Sequence, residues 1–102
     1  MVNLELYRVF YTVAKCGSLT KAAEELFISQ PAVSQAIKQL EAQLGGKLFN
    51  RTHKGMELSE TGGKQIYPIV EKALRLFEEA EKVWYVIEAT GYCHLVHLLV
   101  GI

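Results

Sequence analysis

The stretch Ser29-Gln30-Pro31-Ala32-Val33-Ser34-Gln35-Ala36-Ile37-Lys38-Gln39-Leu40-Glu41 reads as one helix with two unlike faces. Ser29 suits an N-cap, because its hydroxyl can accept from the backbone N–H groups of the first turn. Pro31 stands inside that turn, where a missing N–H costs nothing. At about 100° per residue, Val33, Ala36, Ile37, Leu40 and Leu44 share one side. Pro31, Ser34, Gln35 and Lys38 share the other. That second face carries no acid and no large hydrophobe, only short polar groups, a long amide and one cation. Groups of this kind read base edges and touch phosphates. An ordinary amphipathic surface helix more often carries Glu/Lys pairs there. The helix is predicted over residues 30–44, since Gly45-Gly46 follows and stops it.

The segments upstream support this reading. Asn3 can cap a first helix whose Leu6, Val9, Phe10 and Val13 fall on one face. Gly17 suits the left-handed position that ends it, and Ser18 caps a short second helix from Leu19 to about Leu26. The inward residues of that second helix, Ala22, Ala23 and Leu26, are mostly small, which lets another helix cross closely. Only Phe27 and Ile28 separate it from the cap at Ser29. Two helices joined by so short a turn describe a helix-turn-helix, and the second helix is then the one presented to the major groove. The competing interpretation is a plain helical hairpin in a bundle, which leaves the polar face at Ser34, Gln35 and Lys38 without a purpose.

Downstream, Leu48-Phe49, the polar tip Arg51-Thr52-His53-Lys54-Gly55 and the alternating Met56-Glu57-Leu58 predict a small hairpin with Gly55 in its turn. A hairpin following a helix-turn-helix is a wing. Arg51, His53 and Lys54 at its tip are placed to touch the sugar-phosphate backbone or enter a narrow minor groove. A solvated turn would show the same residues, but its position beside the polar helix favours the wing.

Ser59-Glu60 is expected to open a long helix, an N-cap followed by an acid at the positive end of the dipole. Its apolar residues Ile66, Val70, Ala73, Phe77, Ala80, Trp84 and Ile87 alternate four and three apart, the a/d pattern of a coiled coil. Tyr67, Ile69, Leu74, Leu76 and Val83 widen that seam. About 30 helical residues span roughly 45 Å, more than a small body can cover, so the seam is expected to pair with a second chain. Folding back on its own body is the simpler alternative. Pro68 removes one ladder bond and should bend the helix near its start.

Composition bounds the function. The chain has 102 residues, half of them apolar, and eleven cations against eleven acids, so net charge is zero. A purely electrostatic nucleic-acid binder is thereby disfavoured. The charge is uneven, however: Lys47, Arg51 and Lys54 face only Glu57 around the hairpin, whereas acids outnumber cations along residues 59–90. Cys16 and Cys93 lie far apart with no paired spacing, as reduced thiols in the cytoplasm would. The first residues lack a basic region followed by an apolar core, so a signal peptide is not expected. The longest apolar run is far short of a bilayer span, so no membrane partner is expected. The residues His53, His94 and His97 have no partnered Asp and nucleophile, and no phosphate-binding glycine loop is present. An enzyme is not expected, nor is a cofactor. Cys93, His94 and His97 fall one ligand short of a metal site.

Taken together, the segments resemble the N-terminal DNA-binding region of LysR-type transcriptional regulators. The matching stretches run from Gly17-Ser18-Leu19-Thr20-Lys21-Ala22-Ala23 through Leu26-Phe27-Ile28-Ser29-Gln30-Pro31-Ala32-Val33-Ser34. They continue with Leu40-Glu41, Leu44-Gly45 and Leu48-Phe49-Asn50-Arg51, then Leu58-Ser59-Glu60-Thr61-Gly62 and the Pro68-bearing helix. The resemblance implies a mainly α fold: a winged helix-turn-helix over residues 1–58, a linker and dimerisation helix over 59–90, and at 91–102 either the start of an effector domain or a disordered tail. It implies double-stranded DNA as partner and a homodimer through the linker helix, with higher oligomers open to a full-length form. A small-molecule inducer enters only if an effector domain follows. The place implied is the bacterial cytoplasm, on the nucleoid when bound.

Carried over onto this sequence, the residues facing DNA are Ser29, Gln30, Pro31, Ala32, Ser34 and Gln35 on the reader helix. Lys38, Arg51, His53 and Lys54 serve the backbone or minor groove. The dimer seam is Ile66, Val70, Ala73, Phe77, Ala80, Trp84 and Ile87. Many relatives carry Arg where this chain has Gln35. Arg favours guanine and Gln favours adenine, so the preferred half-site is expected to differ, with a weaker salt-dependent contribution. The rival function is a protein-interaction module that works through the long apolar helix without specific DNA binding. A winged helix acting on RNA is weaker still, since no aromatic platform for unpaired bases is visible.

Overall fold

The structure is a computed structural model and describes residues 2–90, with only the backbone of Thr90. The expectations for residues 91–102, including Cys93, His94 and His97, lie outside the described residues. The described elements are α1 (Leu4–Cys16), α2 (Leu19–Leu26), α3 (Gln30–Leu44), β1 (Phe49–Thr52), β2 (Gly55–Leu58) and α4 (Gly63–Thr90). The strands form one antiparallel hairpin, Phe49 facing Leu58 and Thr52 facing Gly55. Two compact units result, residues 1–71 and the remainder, so α4 contributes its first turns to one and the rest to the other.

The first three helices begin where the sequence offers a cap. The Asn3 side chain accepts from Glu5 N at 3.0 Å, Ser18 from Lys21 N at 3.2 Å and Ser29 from Ala32 N at 3.2 Å. Each such bond satisfies one of the orphan donors of a first turn and is worth about 1 kcal/mol. Gly17 and Gly45 end α1 and α3 in the left-handed conformation. Phe27 ends α2 in the same region, at φ 57°, where a non-glycine residue is uncommon.

The core of the first unit lies where α1, α2 and α3 cross. Phe10, Val13, Ala22, Val33 and Leu40 are fully buried there, with Leu6, Val9 and Ile37 beside them. Phe10 meets Phe49 with ring centroids 5.4 Å apart, which ties the first strand of the hairpin to the helices. Tyr67 stacks on Tyr11 at 5.6 Å and anchors the start of α4 to α1. Val70, expected on the seam, is only 7% exposed and already packed within this unit.

Three local expectations need correction. Leu44 was placed on the apolar side of the reader helix but is half exposed, because it occupies the final turn, past the reach of α1 and α2. The hairpin turn is His53-Lys54, and Gly55 instead opens β2 opposite Thr52. The long helix begins at Gly63, not at Ser59-Glu60. Ser59 is held as a continuation of the hairpin, its N–H donating to the Leu48 carbonyl at 2.8 Å. Its buried hydroxyl donates to the Lys47 carbonyl at 2.7 Å and accepts from Gly63 N at 2.9 Å. It therefore supports the first helical N–H across an intervening turn. Gly62 and Gly63, both poor helix formers, delay the start until that contact is made. Past it, α4 runs through Pro68 to Thr90.

Candidate nucleic-acid interface

The structure turns α3 as the sequence pattern requires. Val33, Ile37 and Leu40 are buried against the bundle, while Ser29, Gln30, Pro31, Ala32, Gln35 and Lys38 are exposed and Ser34 is half-buried. The exposed set begins at the helix N-terminus, where the aligned peptide dipoles leave partial positive charge. The Gln35 side chain makes no hydrogen bond within the described residues, so its amide oxygen and NH2 are both open to a partner.

The hairpin is fixed beside this helix by backbone contacts. Met56 N donates to the Gly17 carbonyl at 3.0 Å, which pins β2 to the corner between α1 and α2. A Cβ on Gly55 would fall inside van der Waals contact with that same carbonyl oxygen. The approach is possible only because residue 55 has no side chain. On the other side, Glu41 of α3 accepts from Leu48 N at 2.8 Å, joining the last turns of α3 to the start of the hairpin. The turn itself is closed by Lys54 N donating to Thr52 Oγ1 at 3.2 Å.

Two clefts follow from this placement. One, of about 380 Å3, is bordered by Ser18 and Thr20 at the start of α2, by Gln30, and by Arg51, His53 and Lys54 of the hairpin. The other, of about 190 Å3, brings Ser34 and Lys38 of α3 together with Glu41, Lys47 and Arg51. Arg51 borders both. Thus Gln30, Ser34, Lys38, Arg51, His53 and Lys54 share one concave side of the unit. Ser29, Pro31, Ala32 and Gln35 lie on the open face of α3 instead. Lys38, Lys47, Arg51 and Lys54 make this side basic, and the one carboxylate among them, Glu41, is engaged by Leu48 N.

Sequence reasoning overlooked Thr20 and Lys47 as members of this surface. Lys47 entered it only as part of a charge count. Thr20 donates from Oγ1 to Gln30 Oε1 at 3.3 Å, a contact between the first turns of two successive helices. The only signal for it was the shortness of the turn that brings those helix starts together.

Along α4, Phe77 and Trp84 are about half exposed, and Phe77, Ala80, Glu81, Trp84 and Tyr85 border a shallow apolar depression of about 360 Å3. Leu76, Val83 and Val86 are exposed nearby. No group of three or more His, Cys, Asp or Glu able to hold a metal occurs among the described residues. No described helix is long and apolar enough to cross a membrane.

Three helices, the third with an exposed polar face, and a two-stranded hairpin at its side define a winged helix-turn-helix. The family model described as "Bacterial regulatory helix-turn-helix protein, lysR family" matches residues 4–63, and the chain belongs to that family. Among its relatives is the RuBisCO operon transcriptional regulator of Allochromatium vinosum, 44% identical over 80 residues, 76% of this chain and 26% of that one. Another is the HTH-type transcriptional regulator AdmX of Serratia plymuthica, 45% identical over 83 residues, 81% of this chain and 24% of that one. The chain therefore spans about a quarter of the length of the curated relatives it matches. Among solved structures, the complex of the BenM DNA-binding domain with catB site 1 DNA superposes with a TM-score of 0.77 at 30% identity, covering 89% of this chain and 96% of that one. The complex of the CbnR DNA-binding domain with DNA gives 0.72 at 28% identity, covering 83% and 97%.

Proposed function

We propose that this chain is the sequence-specific DNA-binding part of a bacterial transcription regulator. It binds double-stranded DNA with α3 in the major groove and the wing, residues 48–58, on the backbone or in the minor groove. The observation that carries this is the union of the exposed polar face of α3 with the basic hairpin on one side of a single unit. The DNA complexes of BenM and CbnR support it by likeness of fold. Gln30, Pro31, Ala32, Ser34 and Gln35 face base edges, capped by Ser29. Lys38, Arg51, His53 and Lys54 hold phosphates. Residues 1–58 are the reading domain and 59–90 the linker. A small inducer would act only if an effector domain follows.

Two copies pair through α4, using Ala73, Phe77, Ala80, Trp84 and Ile87. At the foot of the same stripe, Val70 is buried within its own unit and Ile66 is half-buried. A dimer presents two reader helices to a site of two-fold symmetry. The exposed apolar residues of α4 also favour a second reading, a protein-interaction module in which the winged unit is scaffold.

Binding to a promoter duplex and to a scrambled duplex, measured over a salt series, separates the two. Preference for the promoter supports the first reading, and equal affinity for both duplexes refutes it. Lys54→Ala should weaken binding alike on both and flatten the salt slope by about one unit. Gln35→Ala should relax base preference while leaving that slope in place.

A further inference from the structure

Gln30 and Gln35 carry the same side chain on the same helix, but the structure holds them differently. The Gln30 amide oxygen accepts from Thr20 Oγ1 at 3.3 Å, whereas Gln35 has no partner among the described residues. Thr20 is exposed in the first turn of α2, and its backbone is set by the Ser18 cap two residues earlier, through Lys21 N at 3.2 Å. A Thr at such a site has a restricted side-chain torsion, so its hydroxyl makes a defined anchor. Both residues border the cleft that Arg51, His53 and Lys54 share.

An amide is planar, with its oxygen and its NH2 side by side on one carbon. Turning the oxygen toward Thr20 therefore fixes the plane in which the NH2 is presented. A free Gln offers a donor and an acceptor side by side, which matches N7 and N6 of adenine. A Gln with one lone pair of its oxygen engaged keeps its NH2 donor in full and has less acceptor capacity to offer. In the major groove, guanine offers two acceptors, N7 and O6. Thymine offers O4, adenine offers N7 beside a competing amino group, and cytosine offers only a donor.

We propose that Thr20 is a positioning residue that presents Gln30 as a hydrogen-bond donor, so that the base opposite Gln30 is selected as guanine and cytosine is rejected. The inference rests on the reading of α3 as a major-groove helix. It goes beyond that reading by assigning the two glutamines of one helix to different bases, Gln35 to adenine and Gln30 to guanine.

The test is selection of bound sequences from a randomised duplex library by the 102-residue chain and by three variants. Gln30→Ala identifies the base pair read by Gln30, as the position whose preference it abolishes. Thr20→Val keeps the shape of the side chain and removes the donor, and Thr20→Ser restores the donor. The expected result is guanine at that position for the unaltered chain and for Thr20→Ser. Thr20→Val should move the preference toward adenine by about three- to tenfold, the worth of one net hydrogen bond. A purely structural role for Thr20 would lower affinity on every sequence and leave the preferred base unchanged, and that outcome overturns the proposal. So does a preference elsewhere in the site that Gln30→Ala leaves intact, while the DNA-reading function stands. A flat selection by the unaltered chain overturns both. Equal thermal midpoints for Thr20→Val and the unaltered chain keep the comparison free of folding effects.

Discussion

Gly55→Ala should uncouple the wing from the helices. Residue 55 has φ +119°, in a region that L side chains rarely adopt, and holding it there costs on the order of 1–3 kcal/mol. The new methyl would also collide with the Gly17 carbonyl, a backbone atom with no freedom to withdraw, since Gly17 caps α1 through Val13. Relief requires β2 to move outward, which breaks the 3.0 Å bond from Met56 N to Gly17 O and costs about another 1–2 kcal/mol. Together the loss is about 2–5 kcal/mol, a large part of the roughly 5–15 kcal/mol that stabilises a small domain. The thermal midpoint should fall by roughly 10–30 °C. Trp84 is the only tryptophan and lies in the second unit, so its fluorescence would report on the wrong part. Far-UV circular dichroism in urea, with amide exchange at Met56, reads the right one. If the wing is the second half of a DNA surface, affinity at a temperature where the variant remains folded should fall as well. A loss below about 1 kcal/mol, with Met56 still protected from exchange, would refute the reasoning.

Other perturbations test separate parts of the fold. Ser59→Ala strips the Lys47 carbonyl and Gly63 N of their shared hydroxyl and should cost about 1–3 kcal/mol, read as a lower urea midpoint. Phe10→Ala removes a fully buried ring that touches Phe49 and Tyr67 and should cost about 3–5 kcal/mol in the same assay. Burial, and then the carboxylate of Glu25, holds the Cys16 thiol above its ordinary range, which keeps it protonated further into the alkaline. In a Cys93→Ser background, Cys16 should therefore alkylate more slowly than a free thiol at pH 8, and Glu25→Gln should speed it. Trp84→Glu places a charge in the apolar depression of α4 and should turn a dimer into a monomer by sedimentation equilibrium. An unchanged mass would remove α4 from the proposed interface.

Most of the fold was legible because its signals are local. Asn3, Ser18 and Ser29 cap within three residues of themselves, and each makes the bond its position foretells. Gly17 and Gly45 end helices for a reason contained in one residue. The three-four spacing of apolar residues along α1 and α3 identifies their buried sides, and the reader face follows by elimination. What was misread depends on partners distant in the chain. Nothing near Ser59 announces that its N–H is committed to Leu48 and its hydroxyl to Lys47, so the residue looked like a simple helix cap. Nothing near Gly55 announces the Gly17 carbonyl against it, so a glycine required by close approach looked like a turn glycine. Phe27 is a harder case. It takes the left-handed position that glycine fills elsewhere and is 92% exposed. No contact among the described residues accounts for a phenylalanine there.

The candidate surface divides along the same line. A helix face can be read from one periodic segment, which is why Ser34, Gln35 and Lys38 were found together. A surface assembled from two or three segments cannot. The sequence offers no spacing that relates Thr20 to Gln30, or Lys47 to Lys38, until the turn at Phe27-Ile28 and the corner at Gly17 bring them together. The consequence is chemical. Considered along its own helix, Gln30 is a second copy of Gln35 and should read the same base. Placed beside the start of α2, it has lost the use of one lone pair to a hydroxyl and should read a different one. What a side chain can recognise is set by the atoms it has left after its neighbours are satisfied, and those neighbours are a property of the fold.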